Sequence, residues 1–129
     1  MKQHNQKWLA GKWWFIPTVA TLAAVLLFSY VLIIGCVPSS SMEPTLPDGS
    51  FFLAVRVFRD LEEGDIIVFK HEGSMMVKRI VCVIRNEPEQ KYYVLGDNSE
   101  NSYDSRHWKN PYIEENDVIA KVLLGSKSN

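Results

Sequence analysis

Acidic residues are missing from the whole first third of this chain: all fifteen aspartates and glutamates lie from Glu43 onward. Three of the fourteen lysines and arginines, Lys2, Lys7 and Lys12, come before it. Charge of either sign is absent from Phe15 to Val37. Cysteine is scarce. Two thiols, Cys36 and Cys82, cannot build a disulfide framework, and both are expected as free, buried side chains. A formal net charge of −1 supplies no basic field, so nucleic acid is not an expected partner. There is no Cys/His cluster with metal-ligand spacing and no glycine-rich phosphate loop, so neither a metal nor a cofactor is expected.

What is present first is an apolar run. Residues 15–37 would span roughly 34 Å as a helix at about 1.5 Å per residue, enough for a hydrocarbon core of about 30 Å. Trp8, Trp13 and Trp14 precede it, as in an interfacial aromatic belt, and Pro17 sits near its start, where a helix tolerates proline. The lysine asymmetry orients it, giving a cytoplasmic N-terminus (1–14), a transmembrane anchor (15–37) and an extracytoplasmic domain (38–129). A cleaved secretory leader would have a shorter apolar core. "IIGC" at Ile33–Cys36 also has the look of a lipoprotein box, which would acylate Cys36, but the run is long for that.

Beyond the anchor the period becomes two. "FFLAVRVF" (51–58), "IIVFK" (66–70), "MMVKRIVCVI" (75–84), "KYYVL" (91–95) and "DVIAKVLL" (117–124) read as five strands joined by turn-rich segments. The fold class expected is mostly β: a single N-terminal transmembrane helix followed by a small antiparallel β-rich domain. In the third strand, alternation places Lys78 with Met76, Ile80 and Cys82, and Arg79 with Val77 and Val81. One of the two cations must therefore enter an apolar face. A buried ammonium responds by lowering its pKa, and a neutral lysine is a general base able to activate a serine hydroxyl. The ordinary alternative is an edge strand whose long side chains snorkel to water.

"PSSSMEPTL" (38–46), "GDIIVF" (64–69), "VKRI" (77–80) and "GDNSENSYDSR" (96–106) occur in the order and approximate spacing of the main motifs of bacterial type I signal peptidases, and the chain resembles that family over roughly Pro38 to Arg106. The resemblance implies that Ser41, the serine before Met42, is the nucleophile and Lys78 its general base. It places Ser39 and the Ser41 backbone N–H at the oxyanion hole, and it makes Ser102 the hydroxyl that orients the lysine. Asp97, Asn98, Asp104 and Arg106 would buttress the site. Partners implied are signal peptides of secreted preproteins, membrane lipid and a position near the export machinery. The chain departs from the pattern at Ser40, where glycine is common, and at Ser99–Glu100, where Arg-Asp is usual. "VCVIRNEPEQ" stands where "GLPGD" commonly follows the lysine strand. Other readings are a Ser-His-Asp triad using His71 or His107 with Asp97 or Asp104, a self-cleaving repressor-type protein, and an anchored non-catalytic binding module or lipoprotein.

Overall fold

The computed structural model describes residues 13–86 and 88–125. Lys2, Lys7, Lys12 and Trp8 lie outside the described residues, as do residues 126–129. The chain divides into two compact units, Met1–Val31 and Leu32–Asn129.

Among the described residues the first unit holds one helix, α1 (Phe15–Val31), whose alanines, leucines and valines occupy its whole circumference and none of whose side chains is buried. Its hydroxyls turn back onto the helix: Thr18 donates to the Trp14 carbonyl (2.6 Å), Thr21 to Pro17 (2.7 Å) and Ser29 to Leu26 (2.9 Å). The exposed Tyr30 is the remaining hydroxyl of the helix. Seventeen residues reach only about 26 Å, and no helix among the described residues is long and apolar enough to cross a membrane. The expected helix to Val37 is therefore corrected. Apolar character continues past Val31, but Leu32–Cys36 is a strand.

The second unit is a seven-stranded sheet in which every pairing is antiparallel. Its strands are β1 (Leu32–Cys36), β2 (Phe51–Val55), β3 (Ile66–His71), β4 (Ser74–Asn86), β5 (Glu89–Leu95), β6 (Tyr112–Glu114) and β7 (Val118–Gly125), in the order β1-β2-β7-β3-β4-β5-β6. The five expected strands are present; β1 and the three-residue β6 are additional. β1 is specified by its partner, since Gly35 pairs with Phe52 and the Phe52 ring fills the space a Cβ there would need. β3 and β4 are joined by Glu72 and Gly73, both at positive φ (48° and 82°), the two-residue geometry that matches the twist of a tight hairpin.

Alternation splits the core between the two faces of the sheet. Ile67, Phe69, Ile80, Tyr92, Val94, Trp108 and Ile113 pack on one; Val37, Met42, Leu46, Phe52, Ala54, Val68 and Ala120 pack on the other. A bulge in β4 interrupts the phase. Ile80 pairs with Val94 but Cys82 with Tyr93, so Val81 is the extra residue and Val83, not Cys82, rejoins the Ile80 core. Cys82 is exposed for that reason, and Cys36 is exposed at the end of β1, so neither thiol is buried as expected.

Candidate active site

Between Pro38 and Ser50 the chain loops away from the sheet and returns. The loop is closed at its base by Val37 N–H to the Ser50 carbonyl and Gly49 N–H to the Val37 carbonyl, each 2.8 Å. Inside it, Ser40–Met42 forms a single 3₁₀ turn. Met42 and Leu46 are driven into the core, and this fixes the turn so that Ser41 is held at 8 % exposure. Asn98 pins the same turn from the other side. Its backbone N–H donates to the Ser41 carbonyl (3.0 Å) and its side-chain amide to the Ser40 carbonyl (3.1 Å).

The turn faces one edge of β4. β3 pairs with β4 from Ser74 to Arg79, whereas β5 pairs with it only from Arg79 onward. The stretch Ser74–Lys78 is thus hydrogen-bonded on one side and open on the other. Along that open side runs a cleft of about 300 Å³ lined by Val37, Pro38, Ser39, Ser41 and Met42 across from Met75, Met76, Val77 and Lys78, with Asn101 and Tyr103 also on its wall. Ser39 donates to the Ser41 hydroxyl oxygen at 3.2 Å.

Of the two adjacent cations, Lys78 is the one inside, 4 % exposed. Its amine donates to Ser102 Oγ (3.1 Å), and Ser102 in turn donates to Asp104 Oδ2 (2.6 Å). A hydroxyl has one proton to give. Ser102 spends it on the carboxylate, so it meets Lys78 as an acceptor, and the nitrogen lone pair of a neutral Lys78 is left unclaimed. Burial pushes the Lys78 pKa below the ordinary lysine value. The Asp104 charge opposes that shift, and Arg106 supports it.

Asp104 is fully buried and its two oxygens are saturated. Beside Ser102 it accepts from the Gly96 N–H (3.0 Å), from Arg106 Nε (2.8 Å) and Nη2 (2.9 Å), and from the Arg106 N–H (3.3 Å). Burial alone would raise its pKa; these hydrogen bonds, those of Arg106 foremost, outweigh burial and hold it well below the usual carboxylate range. Arg79, on the opposite face of β4 from Lys78, makes a two-point pair with Asp97 (2.8 and 2.6 Å) and also donates to the Gly64 carbonyl (2.7 Å) and to Thr45 (3.4 Å). One guanidinium therefore ties the serine loop, the turn before β3, the strand of Lys78 and the loop of Asn98 together.

All eight residues singled out in the sequence converge here. Ser39, Ser41 and Lys78 line the cleft; Ser102, Asp104 and Arg106 form a chain behind the lysine; Asp97 and Asn98 hold the loops. His71 and His107 do not join them. His107 lies 3.7 Å from Asp104 Oδ1 and stacks on Tyr103, while His71 stacks on Trp108 at 4.0 Å; neither lines the cleft with Ser41, so no Ser-His-Asp triad is assembled. Two contributors were not legible as such. Arg79 looked only like the alternative to Lys78. Gly96 stood out only as the first residue of the "GDNSENSYDSR" motif, yet a Cβ there would lie 2.5 Å from both the Ser102 Cβ and the Ser41 carbonyl oxygen. The one signal for it was a lone glycine wedged between a strand and Asp-Asn.

A family model described as "Signal peptidase, peptidase S26" matches residues 10–84 and 85–125. The chain is 28 % identical over 133 residues to a probable signal peptidase I-2 of Synechocystis, an alignment covering 69 % of this chain and 61 % of that protein. It is 26 % identical over 135 residues to a signal peptidase I of Bacillus amyloliquefaciens, covering 69 % and 73 %. A shorter stretch of 37 residues is 50 % identical to a signal peptidase I of Buchnera aphidicola and covers 11 % of it. The match thus spans about three fifths of the Synechocystis relative's length.

Proposed function

Because the chain belongs to the signal peptidase family, peptidase S26, we propose that it is a serine endopeptidase that removes signal peptides from exported preproteins, with Ser41 as nucleophile and Lys78 as general base. The observation that carries this reading is the open edge of β4. A buried lysine that donates to Ser102 stands at the end of a one-sided strand, and a serine hydroxyl lines the same cleft. An extended peptide added to that edge gains main-chain hydrogen bonds, and its alternate side chains meet the shallow apolar lining of Val37, Met76 and Val77.

In the proposed reaction Lys78 Nζ takes the Ser41 proton as Ser41 Oγ attacks the scissile carbonyl. The resulting oxyanion is met by the Ser41 N–H and by the Ser39 hydroxyl, which turns from Ser41 toward the substrate; a donor of this kind is worth about 2.7–4 kcal/mol. The C–N bond then breaks and Lys78 returns its proton to the leaving amine. Water, deprotonated by the same lysine, releases the acyl group from Ser41. Asp104 acts through Ser102, keeping the amine aimed without taking its lone pair.

The same reading makes α1 part of a membrane attachment, with Lys2, Lys7 and Lys12 cytoplasmic, the domain from Leu32 outside and the export machinery nearby. Support comes from its uncharged surface, its lack of any buried side chain and the threonine and serine hydroxyls that bond back to its own carbonyls. Tethering at the lipid surface raises the local concentration of substrates still held there by their leaders. The test is to incubate the detergent-solubilised full chain with a preprotein and sequence the new N-terminus. A mature N-terminus that vanishes with Ser41→Ala supports the reading; no cleavage, or equal cleavage by Ser41→Ala, refutes it. A non-catalytic module would give no cleavage at all.

A further inference from the structure

We propose that Tyr103 is the wall of the cleft that selects the first residue after the scissile bond, an inference that rests on the peptidase reading above. The loop that carries it alternates. Ser102 and Asp104 point inward to form the chain behind Lys78, so Asn101 and Tyr103 are turned outward. Both line the cleft that holds Ser41 and Lys78. Tyr103 is 54 % exposed, but its ring is not a loose surface group. It stacks on His107 (centroids 5.7 Å apart, planes at 24°) and meets Trp108 edge-on (6.3 Å, 67°). Trp108 is itself buried and stacked on His71 at the end of β3. The wall is therefore braced from the core outward.

Sheet pairing determines which part of the peptide reaches it. A peptide lying along β4 has an open edge from Ser74 to Lys78 and no farther, because from Arg79 onward that edge is taken by β5. The residues before the cut occupy the apolar stretch beside Met75–Val77, ending at Ser41 and Lys78. The chain after the cut must then leave the sheet, and Ser102–Tyr103, in the loop that follows β5, flanks the lysine from behind at that point. A braced aromatic there limits the size of the first side chain beyond the cut, as a rigid wall in a close-packed site does.

The experiment measures kcat/KM of the full detergent-solubilised chain on peptides that share one cleavable sequence and differ only in the first residue after the cut: Ala, Leu or Trp. A second series varies the residue before it. Tyr103→Ala should shift the Trp-to-Ala ratio after the cut by at least tenfold toward Trp and leave the ratios of the second series within twofold. Tyr103→Phe, which keeps the ring, should keep the wild-type ratio, and His107→Ala, which removes one brace, should give an intermediate shift. Unchanged ratios in Tyr103→Ala while wild type cuts normally, or a shift confined to the residue before the cut, overturn this assignment alone. A wild-type chain that cuts none of the peptides overturns the peptidase reading and this inference with it.

Discussion

Gly96→Ala adds one methyl group at the most crowded point behind the cleft. The Gly96 φ lies outside the left-handed region, so alanine meets no backbone penalty and any effect comes from the methyl. That methyl would sit 2.5 Å from the Ser41 carbonyl oxygen and 2.5 Å from the Ser102 Cβ. Ordinary contact begins near 3.4 Å, so something must move by about 1 Å. Neither neighbour is a free chain end. The Ser41 oxygen is backbone and already accepts from Asn98, while Ser102 is held between Lys78 and Asp104. The Gly96 N–H also holds Asp104, so a retreat of residue 96 loosens the carboxylate instead. Overpacking of this kind costs about 1–3 kcal/mol of stability, or about 4–8 °C of melting temperature per kcal/mol in a domain of this size. A displacement of about 1 Å in the catalytic groups can lower the rate about 100-fold. Steady-state cleavage of a preprotein, with a thermal melt of the same sample, measures both. A Gly96→Ala protein with wild-type kcat/KM would show that the contact between loop and glycine does not set the site.

If Lys78 is the base, as proposed, its working form is the neutral amine, and kcat/KM should rise with pH through a value below the ordinary lysine pKa of about 10.4. Lys78→Arg should be inactive, because guanidinium keeps its proton at usable pH; activity in that variant would remove Lys78 as the base. The lowered pKa means that the unfolded chain binds more protons than the folded one between that value and about 10.4. Wild-type stability should therefore climb with pH across this window, while Lys78→Met shows no such climb and melts higher at neutral pH. Asp104 has the opposite sign: its depressed pKa contributes stability above the ordinary carboxylate value of about 3.9 and loses it as pH falls. Asp104→Asn should melt lower than wild type at neutral pH, with the gap closing in acid, and a constant gap would refute the assignment. For orientation, protease added to intact cells stripped of their wall should cut at Arg56 or Lys91; digestion only after lysis would reverse the proposed topology.

The interior of the site could be read from the chain because its residues break local rules. A lysine in an apolar alternation and a serine cluster after a long apolar run are costly unless they have partners. β1 could not be read, since Leu32–Cys36 continues the composition of α1 without a break and only Gly35, beneath the Phe52 ring, marks the change. The Cys82 error has a different origin. Period-two reading assumes an unbroken ladder, and the single extra residue Val81 inverts every side chain after it. Gly96 is harder still, because what matters there is a missing atom, and its neighbours are Ser102, six residues on, and Ser41, fifty-five residues back.

β7 sits in the middle of the sheet although it follows every other strand along the chain. Among the described residues it alone joins β1–β2, which anchor the serine loop, to β3–β4, which carry the lysine. A nascent chain that has emerged only through Asp117 already contains every side chain of the cleft, but as two separate pieces of sheet. Val68 and Ala54 would then lack Ala120, the residue that seals the core between them. On the proposed reading the cleft is complete only when β7 has paired on both sides, and a copy cut short at Asp117 should be inert toward a preprotein.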